Sequence, residues 1–224
     1  GIQRKRAGKG FRYFSPSGER ITSEKVLNRI HALAIPPAYT QVWICSDERG
    51  HLQATGRDTR RRKQYRYHPK WEQVRAETKF HQMREFAEAL PAIRARTDED
   101  IARRELSRER VLATVVQLMD QCLIRVGNAQ YAAENQTYGI TTLRKKHVDV
   151  EGRCVTFEFT GKSGKPWNLS LCDRRIASTI RKCEEIPGYE LFKYIDAEGV
   201  KRSVTSEDVN AYIREVTGRP FTAK

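Results

Sequence analysis

The sequence predicts an α+β protein in which a mostly antiparallel β-sheet domain with one helix precedes a mainly α-helical domain that carries a three-stranded β-meander. Short segments of alternating polar and apolar residues, separated by turn residues, dominate the first part of the chain. From about residue 76 the apolar residues recur at helical spacing instead. We therefore expect a β-rich domain over residues 1–78 and a mainly helical domain over residues 79–224. A chain of 224 residues is long enough to give each domain its own core.

The first domain is predicted to contain short strands and one helix. Residues 1–20 have the aromatic content and the turn residues of a short strand and turn. Ser23 is placed to cap a helix, which the Pro36–Pro37 pair ends. Residues 41–46 and 51–55 are predicted to form two further strands.

The second domain is predicted to be built around a buried helix. An apolar helical stripe from Phe80 is expected to stop at Pro91, and Thr97 is expected to begin a new helix. A continuous apolar stripe then follows Ser107, and this helix is expected to run until Gly127 ends it. The other predicted elements are a short helix, the three strands of the meander and two more helices, at residues 129–135, 146–150, 153–160, 166–172, 173–183 and 206–217.

The formal net charge of +14 is unevenly distributed along the chain. Residues 1–75 contain 17 Lys or Arg and 6 Asp or Glu, whereas residues 76–224 contain 25 and 22. A basic segment next to a nearly balanced remainder indicates a surface for a polyanion, although a basic surface without a partner is the alternative. No apolar run approaches the roughly 20 residues that span a bilayer, so we expect no membrane partner.

The five cysteines are odd in number, widely spaced and without a Cys-x-x-Cys pair. This pattern predicts reduced thiols and a cytoplasmic protein, and it argues against a disulfide framework and against structural zinc.

The most basic stretch, residues 57–70, contains seven basic residues and one acidic residue. Basic side chains neutralise phosphates, while glutamine and tyrosine side chains reach base edges or stack on sugars. If residues 64–67 form a strand, Tyr65 and Tyr67 share one face. The alternative is a solvated charge run beside two core tyrosines. The predicted DNA-binding residues of this stretch are Arg57, Arg60, Arg61, Arg62, Lys63, Gln64, Tyr65, Arg66 and Tyr67.

Two single cations are candidates for chemistry on a phosphate. Arg125 follows the buried stripe of its predicted helix, and a buried guanidinium needs a paired acid or a cleft. It is therefore either part of a structural ion pair or a rigid clamp for two phosphate oxygens. Lys162 lies between Gly161 and Gly164 at the tip of a predicted hairpin. It is either an ordinary turn residue or a lysine that enters a DNA groove and protonates a leaving oxygen.

The sequence lacks the residue patterns of several other kinds of active site. The sequence has no Gly-x-x-x-x-Gly-Lys-[Ser/Thr] phosphate loop, and its five histidines have no paired metal-binding spacing. The acidic residues do not cluster into a two-metal nuclease site. We therefore expect neither a cofactor nor a metal.

With these residues the sequence resembles the small, poxvirus-type branch of the type IB DNA topoisomerases, which has bacterial members. The N-terminal part resembles the β-rich DNA clamp of that family, and the second part resembles its mostly helical catalytic domain. The resemblance rests on five segments in the same order, residues 62–67, 123–128, 131–139, 143–148 and 159–162.

The resemblance implies a monomeric, nucleoid-associated enzyme that clamps double-stranded DNA and needs neither ATP nor metal. In this family a tyrosine attacks a phosphodiester and leaves a 3′-phosphotyrosyl enzyme. The nicked duplex then rotates, supercoils relax and the free 5′-hydroxyl attacks back. By motif position, Arg125 is one of two arginines that stabilise the transition state, and Lys162 is the general acid. Tyr131 and Lys145 are implied as DNA contacts.

The sequence departs from the family at its end. The family's second arginine, its second hydrogen-bond donor and its tyrosine nucleophile all come after the position of Phe221–Lys224. We therefore expect a C-terminally truncated form of a longer enzyme, which binds DNA but does not cleave it. Tyr212 falls on an apolar helical stripe, which predicts a role in core packing.

Two alternative functions stay open on the sequence. A tyrosine recombinase or integrase-type strand transferase shares the roles of the arginine and the lysine, but it pairs protomers on defined sites. A DNA-binding module without chemistry is consistent with the absence of the nucleophile.

Overall fold

A computed structural model describes residues 1–223, apart from the side chain of Tyr131. The chain divides into two compact units, Gly1–Met83 and Arg84–Lys224. The predicted α+β architecture is confirmed: an antiparallel sheet with a helix comes first, and a mainly helical region with a three-stranded meander follows.

The first unit is built on one five-stranded sheet. Its neighbouring strands are all antiparallel, in the order β2-β1-β3-β4-β5. The strands are β1 (Ile2–Ala7), β2 (Gly10–Phe14), β3 (Thr40–Ile44), β4 (Leu52–Arg57) and β5 (Lys63–Tyr67). The strand considered for residues 64–67 from the sequence is therefore present, as β5.

One face of this sheet forms the small core of the first unit. Helix α1 (Glu24–Ala32) follows Ser23, the predicted cap position, and buries Ile30. Because side chains alternate along a strand, only every second strand residue contributes to the core. The buried apolar residues are Ile2, Tyr13, Ile30, Val42, Ile44 and Ala54.

Helix α2 (Pro69–Ile101) corrects two boundary predictions. It runs for 33 residues through both Pro91 and Thr97, so neither the predicted stop nor the predicted start occurs there. The C-terminal part of the helix buries Ile93, Thr97 and Ile101, and this packing outweighs the local cost of the proline. Although long, α2 is largely polar, and none of the described helices combines the length and hydropathy needed to cross a membrane.

The second unit surrounds helix α3 (Arg108–Cys122). Ser107 accepts a hydrogen bond from the backbone N–H of Arg110 at the start of α3, and the helix buries nine consecutive residues from Arg110 to Leu118. The remaining helices and strands are α4 (Ala129–Asn135), β6 (Val148–Glu151), β7 (Cys154–Thr160), β8 (Pro166–Cys172), α5 (Arg174–Glu185), β9 (Lys193–Ile195), β10 (Lys201–Ser203) and α6 (Ser206–Thr217). Helices α4, α5 and α6 and the three strands of the meander were predicted with bounds within two residues of those observed. The β9–β10 pair was not predicted.

The end of α3 differs from its prediction. The helix stops at Cys122, five residues before Gly127, because Leu123 adopts the left-handed conformation (φ 56°, ψ 24°). The chain then continues extended, so Ile124 and Val126 are buried while Arg125 between them is exposed. Arg125 is thus not the buried helical arginine that the sequence predicts.

The cysteine prediction is wrong for one pair. Cys154 and Cys172 are directly opposite each other where β7 and β8 pair, and they form a disulfide with their Cα atoms 3.9 Å apart. The two cysteines are 18 residues apart in the sequence, and this spacing does not predict a disulfide unless the register of the β7–β8 hairpin is known. Cys45, Cys122 and Cys183 are free thiols.

A buried polar network connects α2 with α6. The hydroxyl of Tyr212 donates to Oδ2 of Asp100 at 2.8 Å. Arg96 and Arg103 also donate to this carboxylate. Burial raises the pKa of Asp100, but the hydrogen bonds from Arg96, Tyr212 and Arg103 outweigh it and lower the pKa. Tyr212 is almost fully buried, and burial raises the pKa of its hydroxyl.

We predict that Tyr212→Phe lowers the free energy of unfolding by about 1 kcal/mol, because Asp100 loses one hydrogen bond but keeps both arginines. Urea denaturation measures the change. Tyr189→Phe is the matched control, since the Tyr189 side chain is exposed. Equal stability of Tyr212→Phe and the unsubstituted protein would contradict a core role for the Tyr212 hydroxyl.

Candidate functional site

Arg125 and Lys162 line one pocket in the second unit, with a volume of about 330 Å³. The two predicted catalytic cations, 37 positions apart in the sequence, therefore face a common cavity. The other residues that line it are Ile124, Tyr138, Phe159, Gly161, Ser163, Lys165 and Trp167.

The Arg125 segment is held by backbone hydrogen bonds. The N–H of Ile140 donates to the carbonyl of Arg125 at 2.8 Å, and the N–H of Thr141 donates to the carbonyl of Val126 at 2.9 Å. The hydroxyl of Thr141 donates to that second carbonyl as well. Within the described part of the chain, no acid forms an ion pair with Arg125, so its exposed guanidinium is available to an anion.

Two glycines allow this backbone pairing. Gly127 has a φ of 94°, which favours glycine, and it lies against Gly139. A Cβ atom added to Gly139 would be 2.5 Å from the Cα of Gly127 and 2.6 Å from the carbonyl oxygen of Arg125. Any side chain at position 139 would therefore push directly on the segment that carries Arg125.

Lys162 lies in the turn between β7 and β8. The N–H of Gly161 donates to the carbonyl of Lys165 at 2.8 Å, and Ser163 has a φ of 65°. A Cβ atom added to Gly161 would be 2.5 Å from Nε1 of Trp167. The turn therefore rests on the indole ring of Trp167, which in turn stacks on Phe159 with 5.8 Å between ring centroids.

Tyr138 connects the two halves of the pocket. Its N–H donates to the carbonyl of Thr160 at 2.8 Å, two residues before Lys162, while the next residues of its own segment hold Arg125. Sequence reasoning did not single out Tyr138, Lys165 or Trp167 as site residues. Tyr138 was within reach of the sequence, because it lies in a segment on which the family resemblance rests. Trp167 enters only through the strand register that pairs it with Phe159.

The imidazole ring of His147 packs against the ring of Tyr138. The two ring centroids are 4.4 Å apart, and Nδ1 of His147 accepts a hydrogen bond from the backbone N–H of Arg144. Burial, followed by the positive charges of Lys146 and Arg144, lowers the pKa of His147. The histidine therefore packs as a neutral ring.

Lys145 and Tyr131 remain predicted DNA contacts. The ammonium of Lys145 donates to the backbone carbonyls of Glu184 and Ile186 at the end of α5, which anchors its side chain to the protein. Arg144 and Lys146, on either side of it, are exposed. The side chain of Tyr131 lies outside the described residues.

In the first unit, the basic stretch runs from Arg57 at the end of β4 through a loop and β5 to the start of α2. Asp58 organises this loop: its carboxylate accepts hydrogen bonds from the backbone N–H groups of Arg60 and Arg62 and from the Arg62 guanidinium. Burial raises the pKa of Asp58, but the hydrogen bonds from Arg62 and Gln64 outweigh it and lower the pKa. The one acid of the stretch thus shapes the loop that presents the cations.

The side chains of β5 divide between two faces. Tyr65 is 47% exposed and stacks on Tyr67, with 6.2 Å between ring centroids, so these tyrosines are not core residues. Gln64 donates to the Asp58 carboxylate and Arg66 donates to the carbonyl of Ala34. The remaining basic residues, Arg57, Arg60, Arg61, Arg62 and Lys63, are exposed.

The described residues contain no group of three His, Cys, Asp or Glu side chains placed to hold a metal ion.

Two family models match the chain. Residues 68–224 match the family described as eukaryotic DNA topoisomerase I, catalytic core, and residues 10–58 match bacterial DNA topoisomerase IB, N-terminal domain. Both descriptions name a type I DNA topoisomerase.

One relative in sequence supports the same family as the two family models. DNA topoisomerase 1B of Acanthamoeba polyphaga mimivirus is 34% identical over 228 residues, which cover 100% of this chain and 68% of the viral protein. The chain belongs to the type IB DNA topoisomerase family. Among solved structures, the XerH site-specific recombinase bound to difH substrate has 15% identity over 59% of this chain and 36% of the recombinase chain. The TM-score of 0.35 is too low to indicate a shared fold.

We predict that Gly139→Ala lowers the free energy of unfolding by about 1–3 kcal/mol, because the added methyl group overlaps the backbone of Gly127. Chemical denaturation measures the loss. Gly10→Ala is the control, since a Cβ atom there meets nothing within 4 Å. Equal stability of the two variants would contradict the close backbone crossing.

We also predict a pH-dependent contribution from His147. In the unfolded chain His147 binds a proton as the pH falls below its ordinary pKa of about 6.5, whereas in the folded protein it binds the proton only at a lower pH. Because the unfolded state then binds more protons, the free energy of unfolding decreases as the pH falls towards the lowered pKa. His147→Gln should therefore reduce the stability difference measured between about pH 7.5 and about pH 5. His81→Gln, at an exposed position, is the control. An unchanged pH dependence in His147→Gln would contradict the prediction.

Proposed function

We propose that this chain contributes the DNA-binding and transition-state-stabilising groups of a type IB topoisomerase, which relaxes supercoiled duplex DNA by transient cleavage of one strand. The observation that carries the proposal is the shared pocket of Arg125 and Lys162 in a chain of this family. The chain spans 68% of its viral relative, so the activity of the whole enzyme is part of the proposal.

The reaction is a pair of transesterifications. A tyrosine oxygen attacks the phosphorus, the bond to the 5′ oxygen breaks, and the strand is held as a 3′-phosphotyrosyl ester. After rotation of the nicked duplex, the 5′-hydroxyl attacks the same phosphorus and releases the tyrosine. One phosphate ester bond is exchanged for another at each step, so neither ATP nor a metal ion is required.

Arg125 suits the stabilisation of charge on the non-bridging oxygens. Its backbone is fixed by Ile140 and Thr141, so little reorganisation is needed when charge develops on the phosphate. A guanidinium also donates two parallel hydrogen bonds to phosphate oxygens.

Lys162 suits proton donation to the leaving 5′ oxygen. Its ammonium is exposed on a turn that Trp167 supports, and Lys165 adds a further positive charge to the same pocket. We assign Lys162 the role of general acid and Lys165 a supporting electrostatic role.

The basic surface of the first unit supports binding to double-stranded DNA. The exposed arginines of the loop supply phosphate contacts, and the tyrosines of β5, the exposed Tyr65 and the half-buried Tyr67, supply contacts in a groove. We propose that the protein binds one duplex as a monomer, with contacts from both units, and that its affinity falls with salt.

The tyrosine nucleophile is assigned to none of the described tyrosines. Tyr212 is buried and bonded to Asp100. We expect residues 1–224 alone to bind duplex DNA without forming a covalent adduct, and a protein that also carries the family's C-terminal segment to relax plasmid in the presence of a chelator. Absence of both relaxation and adduct in that longer protein would contradict the enzyme proposal. Relaxation by a monomer separates a topoisomerase from a recombinase, which pairs protomers.

We predict that Arg125→Ala in the longer protein slows strand cleavage by at least about 100-fold, because a preorganised cation at this position is worth roughly 3 kcal/mol. Single-turnover cleavage of a labelled duplex measures the rate. Arg153→Ala is the matched control, since Arg153 is exposed in the turn at the other end of β7.

Lys162→Ala distinguishes the general acid from a merely electrostatic cation. A substrate with sulfur in place of the leaving 5′ oxygen needs no proton to depart, so it should restore cleavage by Lys162→Ala but not by Arg125→Ala. Equal rescue of the two variants would contradict the assigned roles.

A further inference from the structure

The pocket of Arg125 and Lys162 contains hydrogen-bond donors besides its cations. Among the described residues that line it, none is Asp or Glu, whereas Tyr138, Ser163 and Trp167 each carry a neutral donor. A cavity that offers donors and no carboxylate favours an anion with several acceptor oxygens. The lining therefore suits a phosphate diester, which accepts hydrogen bonds and donates none.

The side chain of Tyr138 is held in place by its neighbours. Its ring centroid is 4.4 Å from that of His147, and the guanidinium carbon of Arg144 is 5.5 Å from the same centroid. Its backbone N–H donates to the carbonyl of Thr160 at 2.8 Å. A half-buried ring with these contacts needs little reorganisation when a ligand enters the pocket.

The hydroxyl of Tyr138 has no hydrogen-bond partner within the described residues, whereas the buried hydroxyl of Tyr212 is bonded to Asp100. It is not enclosed either, because Oε1 of Gln117 is the one buried side-chain nitrogen or oxygen atom of the described chain that lacks a partner. An accessible, unpaired hydroxyl on a residue that lines the pocket is available to donate to a ligand there.

We propose that the Tyr138 hydroxyl donates a hydrogen bond to a non-bridging oxygen of the phosphate held by Arg125 and Lys162, which makes Tyr138 a further catalytic residue. The inference rests on the proposed topoisomerase reaction and adds a neutral donor to its two cations. Charge on the non-bridging oxygens is stabilised in the transition state, so a fixed donor there accelerates the reaction. No bond to Tyr138 forms, and its proton stays on the phenol.

The alternative is that Tyr138 acts only through its ring and backbone, by connecting Thr160 to the segment that holds Arg125. Phenylalanine retains those contacts and lacks only the hydroxyl. Because this hydroxyl has no partner in the protein, Tyr138→Phe should leave the midpoint of urea denaturation unchanged, unlike Tyr212→Phe. A lowered midpoint would show that the hydroxyl is bonded within the protein and would overturn the proposal.

The test measures single-turnover cleavage by the longer protein on two kinds of duplex. One has an ordinary scissile phosphodiester, and the other has a methyl group in place of one non-bridging oxygen, separated into its two diastereomers. Relative to the unsubstituted protein, Tyr138→Phe should slow cleavage of the phosphodiester by about 10- to 100-fold, the range expected for a hydrogen bond to a charged group.

On one methylphosphonate diastereomer, Tyr138→Phe should slow cleavage by less than about 2-fold, because the oxygen that accepts the hydrogen bond is absent there. A substitution that acts only through the fold does not distinguish the substrates in this way. Tyr189→Phe is the matched control, since Tyr189 is an exposed tyrosine of the second unit, and it should cleave every substrate at the unsubstituted rate.

Three cleavage results would overturn the proposal and leave the proposed function intact. An unchanged rate of Tyr138→Phe on the phosphodiester would show that the hydroxyl makes no contact in the transition state. Equal slowing on the phosphodiester and on both methylphosphonates would show that the substitution acts through the fold. A complete absence of covalent adduct would identify the hydroxyl as the nucleophile. Failure of the unsubstituted longer protein to form an adduct would instead reject the proposed function, and this inference with it.

Discussion

The close crossing of Gly127 and Gly139 is the constraint on which the pocket of the second unit depends. It lets the backbone N–H of Ile140 reach the carbonyl of Arg125, and the same segment reaches Thr160 through Tyr138. Arg125 and the turn of Lys162 are thereby attached to one short piece of backbone. A side chain at position 139 has no space there, so the pocket needs glycine at this point of the chain.

The two candidate cations are supported by different amounts of surrounding structure, and this difference agrees with their proposed roles. Arg125 comes three residues after the end of α3 and lies between the buried side chains of Ile124 and Val126. Lys162 lies on an exposed turn supported by one indole ring. A group that stabilises charge benefits from a fixed position, whereas a group that delivers a proton has to approach the leaving oxygen.

Much of the fold and part of the site followed from sequence patterns. The meander, α4, α5 and α6 were predicted because their apolar periodicity and turn residues agree with their tertiary packing. The failures have particular causes. Pro91 did not end α2 because Ile93 and Ile101 pack into the core, and Gly127 did not end α3 because Leu123 took the left-handed conformation first. The disulfide of Cys154 and Cys172 required the register of β7 and β8.

By itself, the sequence determined the α+β class, the basic character of the first part and the two cations worth examining, since composition, periodicity and motif order are local properties of a chain. Only the tertiary structure decided that Arg125 is exposed and that it shares a pocket with Lys162. The physical reason is that strand register and close backbone contacts join residues that are distant in sequence, and no local pattern encodes those distances.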